Sequence, residues 1–402
     1  MNRKNLDSFL TCGYFFKYDN KKLHIDLSGI DREKYKGADE NELINESARL
    51  WRESIAKDST PNRRHLVPIS GGLDSRAILA ALLEHVEASQ IQTYTFGSPN
   101  TLDYEIGNYI AKKLGTVHTA FDLTAYDYTI DELFDIAKRI DYQTHLFHHP
   151  PVRLLDEMYG DSLVWSGFLG DRFAGSYVQA ISSKSLEEAK ESFVRKNRYV
   201  RSCTLSASND FYDLLEYEPI DIDRLSIDEQ IEYPNRSAKY VAPHVLMEGY
   251  EYSTPFLYQP LIDFMLSIED KHRKDQSLYR KMLLKTFPKE FSYKTKNNLG
   301  LPLSAPKIQV FAAKVAKKIH RTLFPAKNSF INYVCFNTQI RQRPAFTKLV
   351  KDNVCDLKSR NIINTLDIEK LFADHMTGKG NYGDALVVLT SLEIFLKAGF
   401  EP

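Results

Sequence analysis

Between His65 and Trp165 short apolar runs alternate with segments of helical period, and a glycine-bearing loop follows both the first run and the last. His65 to Ile69 is the first run. Ser70-Gly71-Gly72 interrupts it, and Leu73 to Val86 is dense in Ala and Leu, as a buried helix is. Ile91 to Phe96 is β-rich. Asp103 to Leu114 sets Ile106, Ile110 and Leu114 on one helical face, with Gly115 where a helix C-terminus favours glycine. Val117 to Leu123 reads as a strand. Ile130 to Arg139 and Pro150-Pro151 to Met158 read as helices, and Ser162 to Trp165 is a strand that ends in the loop Ser166 to Gly175. This alternation predicts an α/β fold: a doubly wound parallel sheet with helices on both faces. Such sheets bind ligands at the carboxyl ends of their strands, beside the switch in strand order, and both glycine loops belong to that edge. Beyond about residue 180 the pattern is mostly helical, with a polar connector near Asp221 to Pro234.

Residues 1–60 read as a leader apart from the domain expected over 61–402. It carries weak strand signals at Gly13 to Lys17 and Lys22 to Leu27. An amphipathic helix follows from about Asn41 to Ala56, with Leu43, Ile44, Leu50, Trp51 and Ile55 at helical spacing, suited to docking. Thr60-Pro61-Asn62 is the turn that closes it.

Ser70-Gly71-Gly72-Leu73-Asp74-Ser75 lies between a strand and a helix, and its chemistry follows from its residue types. Adjacent glycines admit positive φ and a close approach of backbone to ligand. Their N–H groups, with those of the first helical turn, make an anion cradle that the helix dipole favours, and the two serine hydroxyls add donors. Asp74 repels a phosphate unless a cation lies between them, and Mg²⁺ reconciles the two. The loop is neither GxxxxGK[ST] nor G-x-G-x-x-G, so it is not a Walker A or dinucleotide-binding loop.

Ser70 to Ser75 resembles the pyrophosphate loop of the ATP pyrophosphatases, and the flanking sequence is similar to the synthetase domain of the asparagine synthase family. That family includes asparagine synthetase, β-lactam synthetase and the lasso-peptide cyclases. The resemblance runs from about residue 60 to 305. It implies the adenine nucleotide alpha-hydrolase-like, PP-loop form of the fold and an ATP- and Mg²⁺-dependent, amide-forming ligase. Such a ligase adenylates a carboxylate, releases pyrophosphate and passes the acyl group to ammonia or an amine. Residue by residue, Ser70, Gly71, Gly72, Asp74 and Ser75 match the pyrophosphate loop, and Phe96, in Thr95-Phe96-Gly97, matches the position against adenine. Ser166-Gly167-Phe168-Leu169-Gly170-Asp171 is similar to SGxGxD. By that match Ser166 and Gly167 approach the nucleotide, and Asp171 holds Mg²⁺ with Asp74. Glu251 to Leu257 resembles ExRxPFL, which gives Glu251 the role of accepting or relaying the nucleophile's proton. Lys294-Thr295-Lys296 before Gly300-Leu301-Pro302 places Lys296 at the lysine that offsets developing charge.

The departures fall at the acceptor end. Phe168 stands where β-lactam synthetase has a catalytic tyrosine, Arg172 replaces the acidic residue after the metal aspartate, and Ser253 and Tyr258 replace the arginine and final aspartate of ExRxPFLD. These changes imply a substrate other than free aspartate. Met1 is followed by Asn2 rather than by a catalytic cysteine, so glutamine hydrolysis is not expected within this chain. The expected partners are a carboxylate substrate and a nitrogen source: free ammonia, ammonia from a separate glutaminase, or an amine, as on a precursor peptide.

Composition narrows the alternatives. Fifty-three Lys+Arg balance 53 Asp+Glu, which speaks against a chain built to coat nucleic acid. No apolar run of about 18 residues occurs, so no helical membrane span is expected. Cys12, Cys203, Cys335 and Cys355 form no CxxC pair and read as free thiols in a reducing, cytoplasmic setting. Two other functions stay open: a nucleic-acid-modifying or sulfur-transfer enzyme using the same loop, and a non-catalytic ATP-binding partner subunit. His145, His148 and His149 precede Pro150-Pro151 without accompanying cysteines or carboxylates, and read as a polar loop near the substrate pocket. Tyr126, Tyr128 and Phe134 read as packing. Lys314, Lys317, Lys318 and Arg321 share a predicted helix, either as a solvated face or as a docking site for an acidic peptide.

Overall fold

The computed structural model describes residues 2–19, 23, 25–178, 182–217, 219–221, 225–323 and 333–401, with the side chains of 320–323 outside the description. Among the described residues five strands form one sheet: β1 (His65–Pro68), β2 (Ile91–Gly97), β3 (Val117–Asp122), β4 (Leu163–Trp165) and β5 (Glu251–Ser253). Their order is β3-β2-β1-β4-β5, and every pairing is parallel. The apolar runs are continuous because both faces of the sheet are covered, as parallel strands require. The order reverses between β1 and β4, and their register sets His65 beside Leu163. Both glycine loops therefore leave the sheet side by side at the switch point.

Helix α1 (Arg3–Cys12) opens the chain, and α2 (Glu40–Ala56) is capped by Asp39, whose carboxylate accepts from the Asn41 and Glu42 N–H groups. Helices α3 (Asp74–Leu82), α4 (Leu102–Leu114), α5 (Ile130–Arg139), α6 (Val152–Tyr159) and the short α7 (Gly170–Phe173) follow. Gly115 ends α4 in the left-handed region at φ 79°, as the sequence suggests.

The leader is not set apart. Leu43, Ile44, Leu50, Trp51 and Ile55 of α2 belong to the same buried cluster as α3, α4 and Phe256. Leu6, Phe9 and Leu10 of α1, a helix with no counterpart in the expected strand signals, pack with α5 and with the C-terminal helix Gly383–Lys397. Tyr14 contributes only an isolated bridge to Thr144, and no strand occurs among the described residues of 22–27; Lys22 and His24 lie outside the description. An apolar chain segment has only the common core in which to bury itself, whatever its distance along the sequence.

The second half is helical. Helix Gly383–Lys397 is buried on almost every side from Ala385 to Phe395, so it forms the centre of a second core rather than a surface element. The expected polar connector is largely helical: Ile227–Glu232 is an α-helix with Glu229 to Glu232 buried, and it runs into a π-helical stretch, Tyr233–Val241, and the helix Ala242–Val245; residues 222–224 lie outside the description. Helix Lys307–Leu323 carries the lysines as expected, yet Ile308, Phe311, Val315 and Ile319 are exposed along it; the Arg321 side chain lies outside the description. Among the described residues no helix is long and apolar enough to cross a membrane.

Candidate active site at the sheet switch point

The first loop is stitched by its own side chains. Ser75 Oγ accepts from the Ser70 N–H at 3.2 Å, Ser70 Oγ accepts from the Gly72 N–H at 3.2 Å, and the Asp103 carboxylate accepts from the Gly71 N–H at 3.3 Å. Neither Gly71 nor Gly72 takes a positive φ, against the sequence expectation. Crowding is what requires glycine: a Cβ on Gly71 would lie 3.0 Å from Lys296 Cβ and 3.1 Å from the Leu102 carbonyl. In the second loop positive φ falls on Gly175, at 96°, and on the non-glycine Leu169, at 68°, directly before α7. Strain of this kind, on a non-glycine residue, gathers at functional sites.

Asp74 and Asp171 meet. A Cβ on Gly170, the residue before Asp171, would sit 2.7 Å from Asp74 Cγ, and both aspartates line the same cavity. Tyr279 OH donates to Asp74 Oδ1 at 3.1 Å. Asp74 lines a cavity. Desolvation there, and then the charge of Asp171, push its carboxyl up to about 8. Two carboxylates forced together in a partly dry site offer hard oxygen ligands, and a divalent cation relieves their repulsion, so the residues present fit Mg²⁺.

Two adjoining cavities hold the rest. One, of ≈ 320 Å³, is lined by Ser70, Gly72, Asp74, Ser75, Ser166, Gly167 and Asp171 on one side and by Phe168, Tyr250 and Tyr252 on the other. The second, of ≈ 590 Å³, shares Ser70, Gly72 and Phe96 and adds Asp103 and Lys296. Lys296 is brought there by a chain of anchors. The buried Arg76 guanidinium of α3 donates to the carbonyls of Tyr293 and Lys294, and the Thr295 hydroxyl and Lys296 N–H donate to the Gly71 carbonyl at 3.0 and 2.8 Å. Lys296 Nζ forms an ion pair with Asp103. Phe96 lies at the cavity wall with the Tyr333 ring stacked on it, centroids 5.3 Å apart.

Glu251 is the exception. It opens β5 in register with Leu163, at the amino ends of the strands, and it is exposed and paired with Arg63. The carboxyl-edge cavities lie at the other end of the strand, so Glu251 is not at the site. The similarity of Glu251 to Leu257 to ExRxPFL located a strand and turn, not a carboxylate in the cleft. Ser253 lies toward the right edge but is buried, donating to Asp58 Oδ2 at 2.7 Å.

Arg172 is shared between the acidic pair and a second carboxylate. Its Nε is 4.0 Å from Asp171 Oδ1, and the guanidinium pairs with Glu232 and lies 3.5 Å over the Tyr177 ring. Phe168 is buried and faces the cavity.

Asp103, Tyr279 and Tyr333 line or contact the site without being among the residues that the sequence motifs mark. Asp103 was within reach, since a first-turn acid on the helix after the neighbouring strand faces the same edge. Tyr279 and Tyr333 carry no local signal; only the fold of the helical half brings them in. The sequence suggests a polar loop for His145, His148 and His149, yet His145 and His149 are fully buried, while His148 lines the cavity.

Comparison with known proteins fits this geometry. Residues 48–210 match the family model described as asparagine synthase. The chain is similar to asparagine synthetase [glutamine-hydrolyzing] 2 of Arabidopsis thaliana, 26% identical over 147 residues that cover 32% of this chain and 25% of that protein. It is also similar to asparagine synthetase B [glutamine-hydrolyzing] of Escherichia coli (strain K12), 26% identical over 217 residues, covering 48% and 38% of the two chains. The matches thus span well under two thirds of the relatives' length.

Proposed function

We propose that this chain, which carries an asparagine synthase domain over residues 48–210, is an ATP- and Mg²⁺-dependent ligase that forms an amide through an acyl-adenylate. The observation that carries this reading is the meeting of Asp74 and Asp171 between the two loops of the switch point.

A triphosphate in this crevice meets the Ser70–Ser75 loop, the first turn of α3 and Lys296. The loop N–H groups are now satisfied by Ser70 and Asp103, side chains that can yield to a stronger anion. When bound, Mg²⁺ would be held by Asp74 and Asp171 and would lower the repulsion between them and the phosphates. A carboxylate oxygen of the substrate then attacks the α-phosphorus and pyrophosphate leaves. Lys296, freed from Asp103, offsets the charge that builds on the phosphate oxygens. In the second step the amine attacks the acyl carbon, its proton is lost and AMP departs. With Glu251 away from the cleft, the base for that proton is not Glu251.

The acceptor side, walled by Phe168, Trp165, Tyr250 and Tyr252, suits a carboxylate carried on a larger, less polar body than free aspartate. The non-catalytic alternative rested on Phe168 and Arg172, and the engagement of Arg172 with Glu232 removes half of that ground. The four free thiols fit a reducing, cytoplasmic setting. ATP–pyrophosphate exchange across a panel of carboxylates tests the reading: exchange that needs a divalent cation is expected. A folded protein that neither exchanges nor binds ATP would overturn it.

A further inference from the structure

The histidine cluster is unused by the chemistry above, and it is more than a loop. His145 and His148, from the segment after α5, meet His244 from the helix that continues the π-helical stretch. One ring nitrogen from each of these three lies within 4.8 Å of the others. His149 packs on His244 with ring centroids 4.9 Å apart.

Two features separate this group from satisfied core histidines. First, among the described residues both nitrogens of His244 and both of His149 are buried without a hydrogen-bond partner. A neutral imidazole has one donor and one acceptor to satisfy, and leaving them unpaired inside a protein is costly. Second, His145 is already oriented as a metal ligand is: its Nδ1 is 2.8 Å from the Leu146 carbonyl, which fixes the proton there and leaves the Nε2 lone pair facing the cluster. The Tyr240 hydroxyl stands between His145 Nε2 at 3.5 Å and His148 Nδ1 at 3.3 Å, contacts long enough to be given up.

We propose that His145, His148 and His244 bind a zinc-class transition-metal ion. Three imidazoles are the donor set for such an ion, and tetrahedral Zn–N bonds of about 2.0–2.1 Å would draw the nitrogens to about 3.3 Å of one another. Burial lowers all three rings, His145 to about 4, and the neighbouring imidazoles and then Arg236 add to the effect on His148 and His244. His148 and His244 also line the ≈ 320 Å³ cavity, so a fourth coordination position would open toward the substrate side rather than into the core. This site is distinct from the Asp74–Asp171 pair in ligand type: imidazole nitrogens select zinc-class ions and carboxylate oxygens select Mg²⁺.

The test uses the full chain stripped of metal and titrated with Co²⁺ alone, followed by displacement with Zn²⁺. One equivalent of Co²⁺ with the intense visible bands of a four-coordinate site is expected, and Zn²⁺ should abolish the bands. His244→Gln and, separately, His148→Gln should weaken binding by at least about 100-fold, beyond the loss caused by changing a residue that only hydrogen-bonds a ligand. Asp74→Asn should leave the bands unchanged, which separates this site from the proposed Mg²⁺ site. Wild-type protein that binds no stoichiometric Co²⁺ or Zn²⁺ would overturn the proposal. So would His244→Gln protein, folded by circular dichroism, that keeps wild-type binding.

Discussion

Asp74 is held where a lone carboxylate is poorly tolerated, and its surroundings say what it is for. Burial and Asp171 push its carboxyl up to about 8, while Tyr279 and a backbone N–H pull the other way and do not prevail. In the metal-free protein that charge works against the fold. Asp74→Asn keeps the shape and an acceptor for Tyr279, so it should melt at or above the wild-type temperature while losing ATP–pyrophosphate exchange by about 10³-fold or more. Glu251→Gln should change exchange less than about twofold, because the side chain is exposed beside Arg63 at the far end of the strands. Calorimetry and exchange rates on the two variants together check both statements. A large loss in Glu251→Gln would restore the role that the local similarity assigned to it.

At the scale of elements, α4 shows how a helix is fitted to a strand. Gly107 lies in its buried face, and a Cβ there would come 2.5 Å from Thr95 Oγ1 and 2.7 Å from the Ile69 carbonyl. The Thr95 hydroxyl donates to that same carbonyl at 2.7 Å. Gly107→Ala gains about 1 kcal/mol of helix propensity and still should destabilise by roughly 1–3 kcal/mol, since the helix must lift off β2. Urea unfolding measures the net. Helix Ile368–Met376 offers a test by pH. His375 is buried, accepts from the Tyr382 N–H at 3.0 Å, and is lowered from 6.5 to about 4 by burial and then by Arg341. Its folded value lies below its unfolded one, so its contribution is complete above pH 6.5 and is lost as pH falls toward 4. The loss amounts to about 3 kcal/mol. His375→Gln should flatten the stability curve between pH 6.5 and 4 relative to wild type.

Over the whole molecule, the crevice joins the sheet to the helical half: Asp74 and Ser166 come from the sheet loops, Lys296 and Tyr333 from beyond it. Ligand that spans both should stabilise the entire fold. Mg²⁺ with ATP at 100 times its dissociation constant should add about 2.7 kcal/mol and raise the melting temperature, whereas ATP with EDTA should add little. The strand–loop–helix order, the parallel sheet and the two loops were legible in the sequence because each is local. Alternation, glycine punctuation and a first-turn carboxylate are written within a few residues of one another. Glu251 was misplaced because a local match fixes a segment's identity but not which end of a strand a side chain occupies. Helix α1, Tyr279, Tyr333 and the meeting of His244 with His145 and His148 were not legible at all, since nothing nearby in the chain marks them. The sequence by itself therefore determined the sheet and the loops at its edge. Only the tertiary structure decided that Asp103 joins the crevice while Glu251 does not, and which imidazoles converge, because those contacts join residues far apart in the chain whose burial is set by the common core.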